Sequence, residues 1–383
     1  MTLKIIGPND PALDILEAAL ARNPELDAIL EIIPWPEYRD ALMATLQADV
    51  APNQALFVPG HIWLPELADA GYLADMTALF ETVPADILET YDPTEIVPSI
   101  AAESKYQGKQ YQLPFFSDGH ILFYRADLIQ LDESKGIPVV STKDLAEIAA
   151  AVHNPPKVYG LVLKADVSEI FTDWLPYLWE AGGWIFDEDG NPDVANKNNI
   201  AALQAYCDLR QFCPPETHTY GNGEIAESIR QGEAALVANW GGQTAPLLVD
   251  AEGQKQTKYK SAAFPVPWNA TWGIAIPANQ PESSQQDALS TLMKILNKAQ
   301  DKEITRVAGS PVRQSSYAPE ELVKYPWLAA QREMLERAKP LPALPELGLF
   351  LGALYGAAHD AFTGKFTPAE ALQKVQAEAT GEK

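Results

Sequence analysis

Short apolar runs and amphipathic segments alternate along the first 70 residues of the chain. Each apolar run has the length of a strand and ends at a glycine or a proline, residues that commonly bound strands. The segments that follow repeat their apolar residues every three or four positions, as the buried face of a helix does. This order of strand, loop and helix predicts a parallel α/β sheet. The predicted strands are residues 3–6, 28–33 and 55–58, and the predicted helices are residues 11–21, 37–48 and 63–70.

The loops after the predicted strands are the first candidates for a binding site. Ligands of parallel α/β sheets bind at the carboxyl ends of the strands. The loops concerned are residues 7–10, 35–38 and 59–63. Asp10 has a second interpretation, because an aspartate directly before a helix commonly caps its first turn.

The pattern changes after residue 105. Residues 106–111 predict a hairpin with Gly108 in its turn. Residues 113–116 and 121–124 predict two strands separated by a polar loop, 117–120. The remaining sequence is mixed and then mostly helical. Further predicted elements are the helices 141–152, 171–181, 198–212 and 224–231, and the strands 158–163, 234–238 and 272–277.

Composition and charge exclude several classes of protein. The chain has 383 residues, 47% of them hydrophobic and 21% charged, as expected for a folded protein of two or three domains. Its net charge of -24 repels phosphate backbones and anionic lipid head groups, so we expect no binding of nucleic acid. The longest apolar stretch, residues 347–358, is too short and too rich in glycine to span a bilayer, so we expect no direct membrane insertion.

The start of the chain leaves the location open. Met1-Thr2-Leu3-Lys4 contains neither the basic and apolar regions of an export signal nor a lipid-anchor cysteine. Read literally, this start indicates a cytoplasmic protein, and the other interpretation is an exported protein whose signal was removed. The two cysteines, Cys207 and Cys213, are too few for a disulfide scaffold, and their spacing leaves both a disulfide and two free thiols open.

Tryptophans are placed in or beside several predicted loops at strand ends. Flat indole rings stack on the C–H faces of sugars and on other amphipathic ligands, and they also carry a polar N–H group. Packing in a core is the better explanation for any one of them. Their placement after several separate strands favours a ligand-binding cleft for the set. These tryptophans are Trp35, Trp63, Trp240, Trp268 and Trp272.

Polar residues in the same loops suggest how a ligand could be held. Glu37 and Asp118 lie beside aromatic residues, where carboxylates accept hydrogen bonds from ligand hydroxyls or act as a general acid and base. His61 and His120 lie in loops expected to face a cleft, and no histidine has the spacing of a metal site. The sequence contains no phosphate-binding loop and no nucleophile motif. We therefore predict a binding protein without cofactor or metal.

Seven segments resemble, in order, the extracellular solute-binding proteins of carbohydrate-uptake ABC transporters, the maltose-binding-protein-like family 1. The most specific segment is residues 106–128, with Gln112-Leu113-Pro114-Phe115 and Leu122-Phe123-Tyr124-Arg125. Each segment is weak alone, and their common order makes the resemblance strong. The other segments are residues 55–73, 180–190, 231–241, 272–277, 309–313 and 363–372.

The resemblance implies the two-lobed periplasmic-binding-protein fold of type II, an α/β fold with a ligand cleft between the lobes that closes by hinge motion. Lobe I would be residues 1–112 with 265–309, and lobe II residues 113–264 with 310–383. It also implies a monomer that is periplasmic or extracellular, free or lipid-anchored, and that meets the permease of an ABC transporter. The expected crossings between the lobes lie near Leu113, Phe264 and Gly309.

The resemblance also implies a set of ligand-binding residues. Ring stacking is expected from Trp174, Trp240 and Trp272, and hydroxyl binding from Glu37, Asp118 and Asn239. His61 and His120 depart from the residues that the family leads us to expect. The full predicted set is Asn9, Asp10, Glu37, Tyr38, Gly60, His61, Ser117, Asp118, His120, Phe171, Trp174, Asn239, Trp240, Gly241, Trp268, Trp272, Arg313 and Phe350.

These observations predict a receptor for a neutral mono- or oligosaccharide or a related polyol. Sugar phosphates and acidic sugars need cationic forks, and Arg313 is the one cation in the predicted set. Two alternatives stay open. One is a carbohydrate-active enzyme that uses Glu37 and Asp118 as its carboxylate pair. The other is a receptor for a cationic amphipathic solute held by cation–π contacts in an acidic, tryptophan-rich cleft.

Overall fold

A computed structural model describes residues 2–244, 248, 258–307 and 310–381. The predicted crossing near Gly309 lies outside the described residues. The chain divides into two compact units, and each combines a sheet with helices. Unit 1 comprises Met1–Asp118, Asn269–Leu328 and Pro340–Leu347, and unit 2 comprises Gly119–Trp268, Ala329–Lys339 and Gly348–Lys383.

Strands and helices alternate through the first part of the chain, and helices dominate its end. The strands are β1 (Leu3–Pro8), β2 (Ala28–Ile33), β3 (Ala55–Pro59), β4 (Lys105–Tyr106), β5 (Lys109–Gln110), β6 (Gln112–Arg125), β7 (Tyr159–Val162), β8 (Ala234–Trp240), β9 (Tyr259–Ala262) and β10 (Asn269–Ala275). The helices are α1 (Pro11–Arg22), α2 (Trp35–Leu46), α3 (Leu64–Asp69), α4 (Met76–Leu79), α5 (Ala85–Tyr91), α6 (Pro98–Glu103), α7 (Thr142–Val152), α8 (Ile170–Glu180), α9 (Lys197–Asp208), α10 (Asn222–Gln231), α11 (Gly241–Thr244), α12 (Glu282–Ile295), α13 (Lys298–Val307), α14 (Pro319–Lys324), α15 (Trp327–Arg337), α16 (Leu347–Phe362) and α17 (Pro368–Thr380).

The sheet of unit 1 confirms the predicted parallel arrangement. Strand β1 pairs in parallel with β2 on one side and with β3 on the other. Strand β10 then joins β3 in the antiparallel sense, which gives the order β2-β1-β3-β10. Apolar side chains of β1 and β3 form the centre of the core of this unit, as the apolar runs predicted. The carboxyl ends of the three parallel strands therefore share one edge of the sheet.

Two side chains at this edge start the helices that follow. The N-cap of α1 is Asp10, whose carboxylate accepts a hydrogen bond from the backbone N–H of Ala12 at 2.8 Å. Asn9 accepts a hydrogen bond from the N–H of Trp35 at 2.7 Å, so it ties the end of β1 to the start of α2. The predicted cap of the first helix is confirmed, and α2 begins two residues earlier than predicted.

Strand β6 corrects one prediction. The sequence predicts a loop at 117–120 between two strands, whereas Gln112–Arg125 forms one strand that is buried at every position except Arg125. The polar residues that suggested a loop are buried, and Ser117 and His120 both make hydrogen bonds there. Gly119 leaves no space for a side chain, since an added Cβ would lie 2.3 Å from the carbonyl oxygen of Trp268.

The sheet of unit 2 is built on the second half of β6. Strand β8 pairs with β6 in the antiparallel sense and with β7 in parallel. Strand β9, which the sequence did not indicate, pairs with the other edge of β6. Helix α8 packs in this unit with ten consecutive buried residues, from Ile170 to Trp179. That burial explains why the helix is so aromatic.

Residues 310–328 pack in unit 1, although the predicted lobe II began at residue 310. Arg313 explains this packing. Its guanidinium donates to the carbonyl oxygens of Asp92 at 3.1 Å and Leu296 at 2.6 Å, and it lies 4.9 Å from the centre of the Tyr91 ring. The sequence around Arg313 contains no pattern that predicts these partners.

Two further features bear on the sequence analysis. Across the described ranges, no helix is long and apolar enough to cross a membrane. Cys207 and Cys213 are free thiols, and the Cys213 thiol donates to the carbonyl oxygen of Leu209 at 3.4 Å. Of the two possibilities that the spacing left open, the structure therefore shows two free thiols.

Candidate functional site

Four aromatic rings pack against one another in a row at the carboxyl edge of the sheet of unit 1. Trp35 and Trp63 stack at 5.5 Å between ring centres and 3° between ring planes. Trp272 meets the edge of Trp35 at 5.8 Å and stacks on Phe116 at 6.0 Å. We call Trp35, Trp63, Phe116 and Trp272 the aromatic platform. It joins rings from α2, the loop after β3, β6 and β10.

The platform has an open side and a closed side. Trp35 is 46% exposed and Trp272 is partly exposed, whereas Trp63 is 8% exposed. Trp63 is covered by Tyr38, at 6.4 Å between ring centres, and by the guanidinium of Arg39 at 4.8 Å. Trp35 is therefore held firmly through the face that contacts Trp63, and it keeps almost half of its surface for a ligand.

Several predicted ligand contacts beside the platform serve the fold instead. Asn9 and Asp10 make the hydrogen bonds that start α2 and α1, and burial raises the pKa of Asp10 to about 6. Tyr38 is completely buried, and its hydroxyl donates to the carbonyl oxygens of Phe57 at 2.5 Å and Ile6 at 3.3 Å. Glu37 is exposed in the first turn of α2. Of these four residues, Glu37 is the one with a carboxylate open to solvent.

Gly60 and His61 lie where β3 ends against β10. The N–H of Gly60 donates to the carbonyl oxygen of Thr271 at 2.8 Å. An added Cβ at Gly60 would lie 2.5 Å from the side-chain amide of Gln112 and 2.7 Å from the carbonyl oxygen of Glu103. Burial lowers the pKa of His61 to about 4, with a partial offset from a hydrogen bond to the backbone of Thr271. His61 is therefore neutral at pH 7.

A buried polar cluster surrounds Ser117 in unit 1. The Asn269 amide donates to Ser117 Oγ at 3.2 Å and to Glu103 Oε2 at 3.0 Å. Ser117 Oγ also lies 3.0 Å from Thr271 Oγ1, and the Thr271 N–H donates to Glu103 Oε2 at 3.1 Å. Burial raises the pKa of Glu103 to about 8. Ser117 thus belongs to an internal network, while its neighbour Asp118 is 7% exposed.

Unit 2 brings together three predicted residues, which we call the indole cluster: His120, Trp240 and Trp268. The His120 ring lies 4.7 Å from Trp240 and 6.0 Å from Trp268, and the two indoles meet edge to face at 5.0 Å. Trp268 Nε1 donates to His120 Nδ1 at 3.2 Å and to the carbonyl oxygen of Thr172 at 3.1 Å. Trp268 is therefore fixed in the interior, and Trp240 is the partly exposed member.

Charged and polar groups lie behind the indole cluster. His120 Nε2 is 3.4 Å from Asp173 Oδ1, and the Tyr206 hydroxyl donates to Asp173 Oδ2 at 2.8 Å. Burial raises the pKa of Asp173 to about 7. Burial, reinforced by the nearby charge of Lys164, lowers the pKa of His120 well below its ordinary value. His120 is therefore neutral, with its Nδ1 accepting from Trp268 and its Nε2 carrying the proton toward Asp173.

The other predicted residues of unit 2 differ in how far they reach solvent. Phe171 and Trp174 are completely buried in α8 and meet edge to face at 6.0 Å. Asn239 is 2% exposed on β8, opposite Ile121 of β6. Gly241 begins α11, where an added Cβ would lie 2.3 Å from Gln331 Oε1. Phe350 is partly exposed and lies 5.3 Å from Phe186.

Three residues of these networks were missed by sequence reasoning: Glu103, Lys164 and Asp173. Lys164 is the second residue after β7, and its ammonium is 4.7 Å from the centre of the Trp240 ring. A lysine at the carboxyl end of a strand is a weak signal, although it could have been used. Asp173 lies inside the predicted helix 171–181, where an acidic residue is usually solvent-exposed, and Glu103 ends α6, a helix that the sequence analysis did not predict. The sequence therefore contained no usable signal for either residue.

The arrangement can bind but has few means of catalysis. Partly exposed rings in each unit offer apolar faces, and the surrounding amides, hydroxyls and carboxylates offer hydrogen bonds. His61 and His120, the two histidines of the predicted set, are neutral, and His120 Nδ1 accepts from Trp268. Such surfaces suit a polar, uncharged molecule with C–H faces.

The model of a family described as "bacterial extracellular solute-binding protein" matches residues 11–300. A mannitol-binding protein from Pseudomonas aeruginosa is 25% identical over 374 residues, which cover 88% of this chain and 83% of that protein. A solute-binding protein from Agrobacterium radiobacter, solved with ribitol, has a TM-score of 0.85 and 24% identity, covering 100% of this chain and 98% of that one. A maltose-bound protein from Thermotoga maritima has a TM-score of 0.82 and 22% identity, covering 99% and 100%.

Proposed function

The chain belongs to the bacterial extracellular solute-binding protein family, and from that premise we propose that it is an ABC-importer receptor for a neutral polyol or small sugar. The observation that carries the ligand class is the half-exposed Trp35, which is stacked at 3° on Trp63 and open on its other side. A rigid indole with an open face binds C–H surfaces without losing much conformational entropy.

The cations of the predicted surfaces support a neutral ligand. Arg313, the one cation of the predicted set, is 1% exposed and bonded to backbone carbonyls. Arg39, next to the platform, is paired with Glu66 at 2.7 Å. Binding of a phosphate or a carboxylate requires a free bidentate donor, and both of these guanidinium groups have protein partners.

Of the two alternative functions left open by the sequence, the enzyme is excluded and the receptor for a cationic solute is disfavoured. The family consists of substrate-binding proteins, which catalyse no reaction, and this excludes the enzyme with Glu37 and Asp118 as its carboxylate pair. A cationic solute is disfavoured because the Trp240 ring already carries the ammonium of Lys164 at 4.7 Å. Like charges close to one ring repel each other, so a second cation would lose its electrostatic gain there.

The relatives narrow the choice of probes. Two of those reported above bind linear sugar alcohols by their descriptions, ribitol and mannitol, and a third was solved with maltose. We therefore propose a linear polyol first and a small sugar second. The lobe boundaries, cleft closure, lipid anchor and permease contact implied by the resemblance stay predictions.

The experiment is a thermal-shift screen followed by calorimetric titration. The probes are ribitol, D-mannitol, maltose, glucuronate and tetramethylammonium. A ligand at a hundred times its dissociation constant stabilises the folded state by about 2.7 kcal/mol, which gives a clear shift in melting temperature. We expect the shift with ribitol or mannitol. A shift with glucuronate or tetramethylammonium alone would overturn the proposed ligand class.

A further inference from the structure

A buried lysine contacts Trp240, the partly exposed tryptophan of the indole cluster. Lys164 follows β7, and its side chain is fully buried. Removing an ammonium from water costs several kcal/mol unless partners replace the water, so a lysine in this position needs specific contacts. The contacts of its Nζ atom identify these partners.

The Lys164 ammonium contacts three groups. Nζ lies 3.2 Å from Glu169 Oε2 and donates to Asn222 Oδ1 at 3.3 Å. The amide of Asn222 in turn donates to Glu169 Oε1 at 3.1 Å, which closes a three-membered network. The ring of Trp240, 4.7 Å from Nζ, is the third group. The network therefore fixes a positive charge against one indole.

The position of this charge has two consequences for Trp240. A cation–π contact is strongest when the ammonium is desolvated, as it is here, so the contact favours one orientation of the indole. The same contact uses the negative potential of the ring, so the ring no longer attracts a second cation. The lone pairs of a ligand hydroxyl oxygen are not repelled by a positive charge, so the ammonium does not weaken the binding of hydroxyl groups.

We propose that Lys164 is a positioning residue that orients Trp240 and selects neutral solutes over cationic ones. This inference rests on the proposed function, because it assumes that Trp240 contacts the ligand. It assigns the discrimination against cationic ligands to one buried group. Trp240 makes the contact with the ligand, and Lys164 acts through it.

The test removes the charge without leaving its partner buried and unpaired. The variant Lys164→Met/Glu169→Gln deletes the ion pair as a whole, and Lys164→Arg keeps the cation. Lys339→Met is the matched control, since Lys339 lies over two other indoles of unit 2, at 4.6 Å from Trp184 and 5.4 Å from Trp179. Calorimetry then compares ribitol, D-mannitol and tetramethylammonium.

We expect the double variant to bind the polyol at least tenfold more weakly than the parent and tetramethylammonium at least tenfold more tightly. Lys164→Arg should stay within about threefold of the parent for the polyol, and Lys339→Met should match it. A double variant with the parent's preference between polyol and tetramethylammonium would overturn the inference and leave the proposed function intact.

A second measurement needs no ligand. If Lys164 holds Trp240, the double variant changes the intrinsic tryptophan fluorescence of the parent, and this change disappears in a Trp240→Phe background. Equal changes in both backgrounds would overturn the positioning role. A parent that binds none of the neutral probes would overturn the proposed function instead, and the fluorescence comparison would still decide whether Lys164 orients Trp240. A double variant that fails to fold is replaced by Lys164→Gln in both measurements.

Discussion

The two units present indole rings on different kinds of support. In unit 1, Trp35 rests on another aromatic ring, and a third, Tyr38, lies behind that one. In unit 2, Trp240 rests on a neutral imidazole and a buried ammonium. Unit 1 therefore supplies a stiff apolar surface, whereas unit 2 supplies a ring whose electrostatic potential is set by charges behind it. Under the proposed function, unit 1 would therefore select a ligand by shape and unit 2 by charge.

The first prediction tests whether Trp174 of unit 2 is a core residue or a ligand-binding residue. Trp174 was predicted to stack on the ligand, but it is completely buried in α8. We expect Trp174→Ala to lower the free energy of unfolding by about 3–5 kcal/mol, because it leaves a large cavity. Urea denaturation measures this loss. Weakened ligand binding with little loss of stability would show instead that Trp174 belongs to the binding surface.

A second prediction concerns the buried carboxyl group of unit 1. The pKa of Glu103 is raised to about 8, above its ordinary value, so the folded state holds a proton that the unfolded state has lost. Between roughly pH 4.5 and 8, this group therefore makes the protein less stable as the pH rises, by at most about 1.4 kcal/mol per pH unit. Below that window both states are protonated and the effect vanishes.

Glu103→Gln tests this because glutamine keeps an oxygen for the N–H groups of Asn269 and Thr271 but does not titrate. We expect nearly equal stabilities at pH 4, below the window, and a more stable variant at pH 8, measured by urea denaturation at both values. Glu147→Gln, at an exposed position of α7, is the control that should follow the parent throughout. Parallel pH profiles for the parent and Glu103→Gln would contradict the prediction.

The periodic parts of the chain were the predictable ones. The strands and helices of the first 70 residues follow from apolar spacing alone, since β1 and β3 bury apolar side chains in one core and partly buried side chains of β2 pack against it. The loop predicted at 117–120 failed because Ser117 and His120 find polar partners inside the protein. A polar side chain needs hydrogen-bond partners, and only the fold shows whether the protein interior provides them.

The candidate site was partly predictable for the same reason. The placement of tryptophans near predicted strand ends identified Trp240, which ends β8, and Trp272, which lies within β10, and both are partly exposed. It did not separate them from Tyr38 or Trp174, which are fully buried. Exposure depends on what packs against a ring from distant parts of the chain, and that information is absent from local spacing.

The third prediction measures how much unit 2 contributes to binding. We expect Trp240→Ala to weaken binding of the polyol at least tenfold, about 1.4 kcal/mol, because it deletes the stacking face and uncovers the Lys164 ammonium. Trp240→Phe keeps a ring and should lose less. Calorimetric titration with ribitol or D-mannitol gives both values. Unchanged affinity in Trp240→Ala would remove the indole cluster from the proposed site.

The smallest expected effect belongs to the open ring of unit 1. Trp35 is 46% exposed, so Trp35→Ala should change the free energy of unfolding by less than about 1 kcal/mol. Loss of its stacking face should still weaken polyol binding about three- to tenfold, or about 0.6–1.4 kcal/mol. Thermal unfolding and calorimetry on the same sample separate the two effects.

Ile29→Ala is the control for this last prediction, since Ile29 is an apolar side chain of unit 1 with 52% exposure on β2. It should leave both stability and affinity near the parental values. If Trp35→Ala also binds like the parent while Trp240→Ala does not, the ligand depends on unit 2 alone. The aromatic platform would then be a packing feature, and the division of shape and charge between the two units would be wrong.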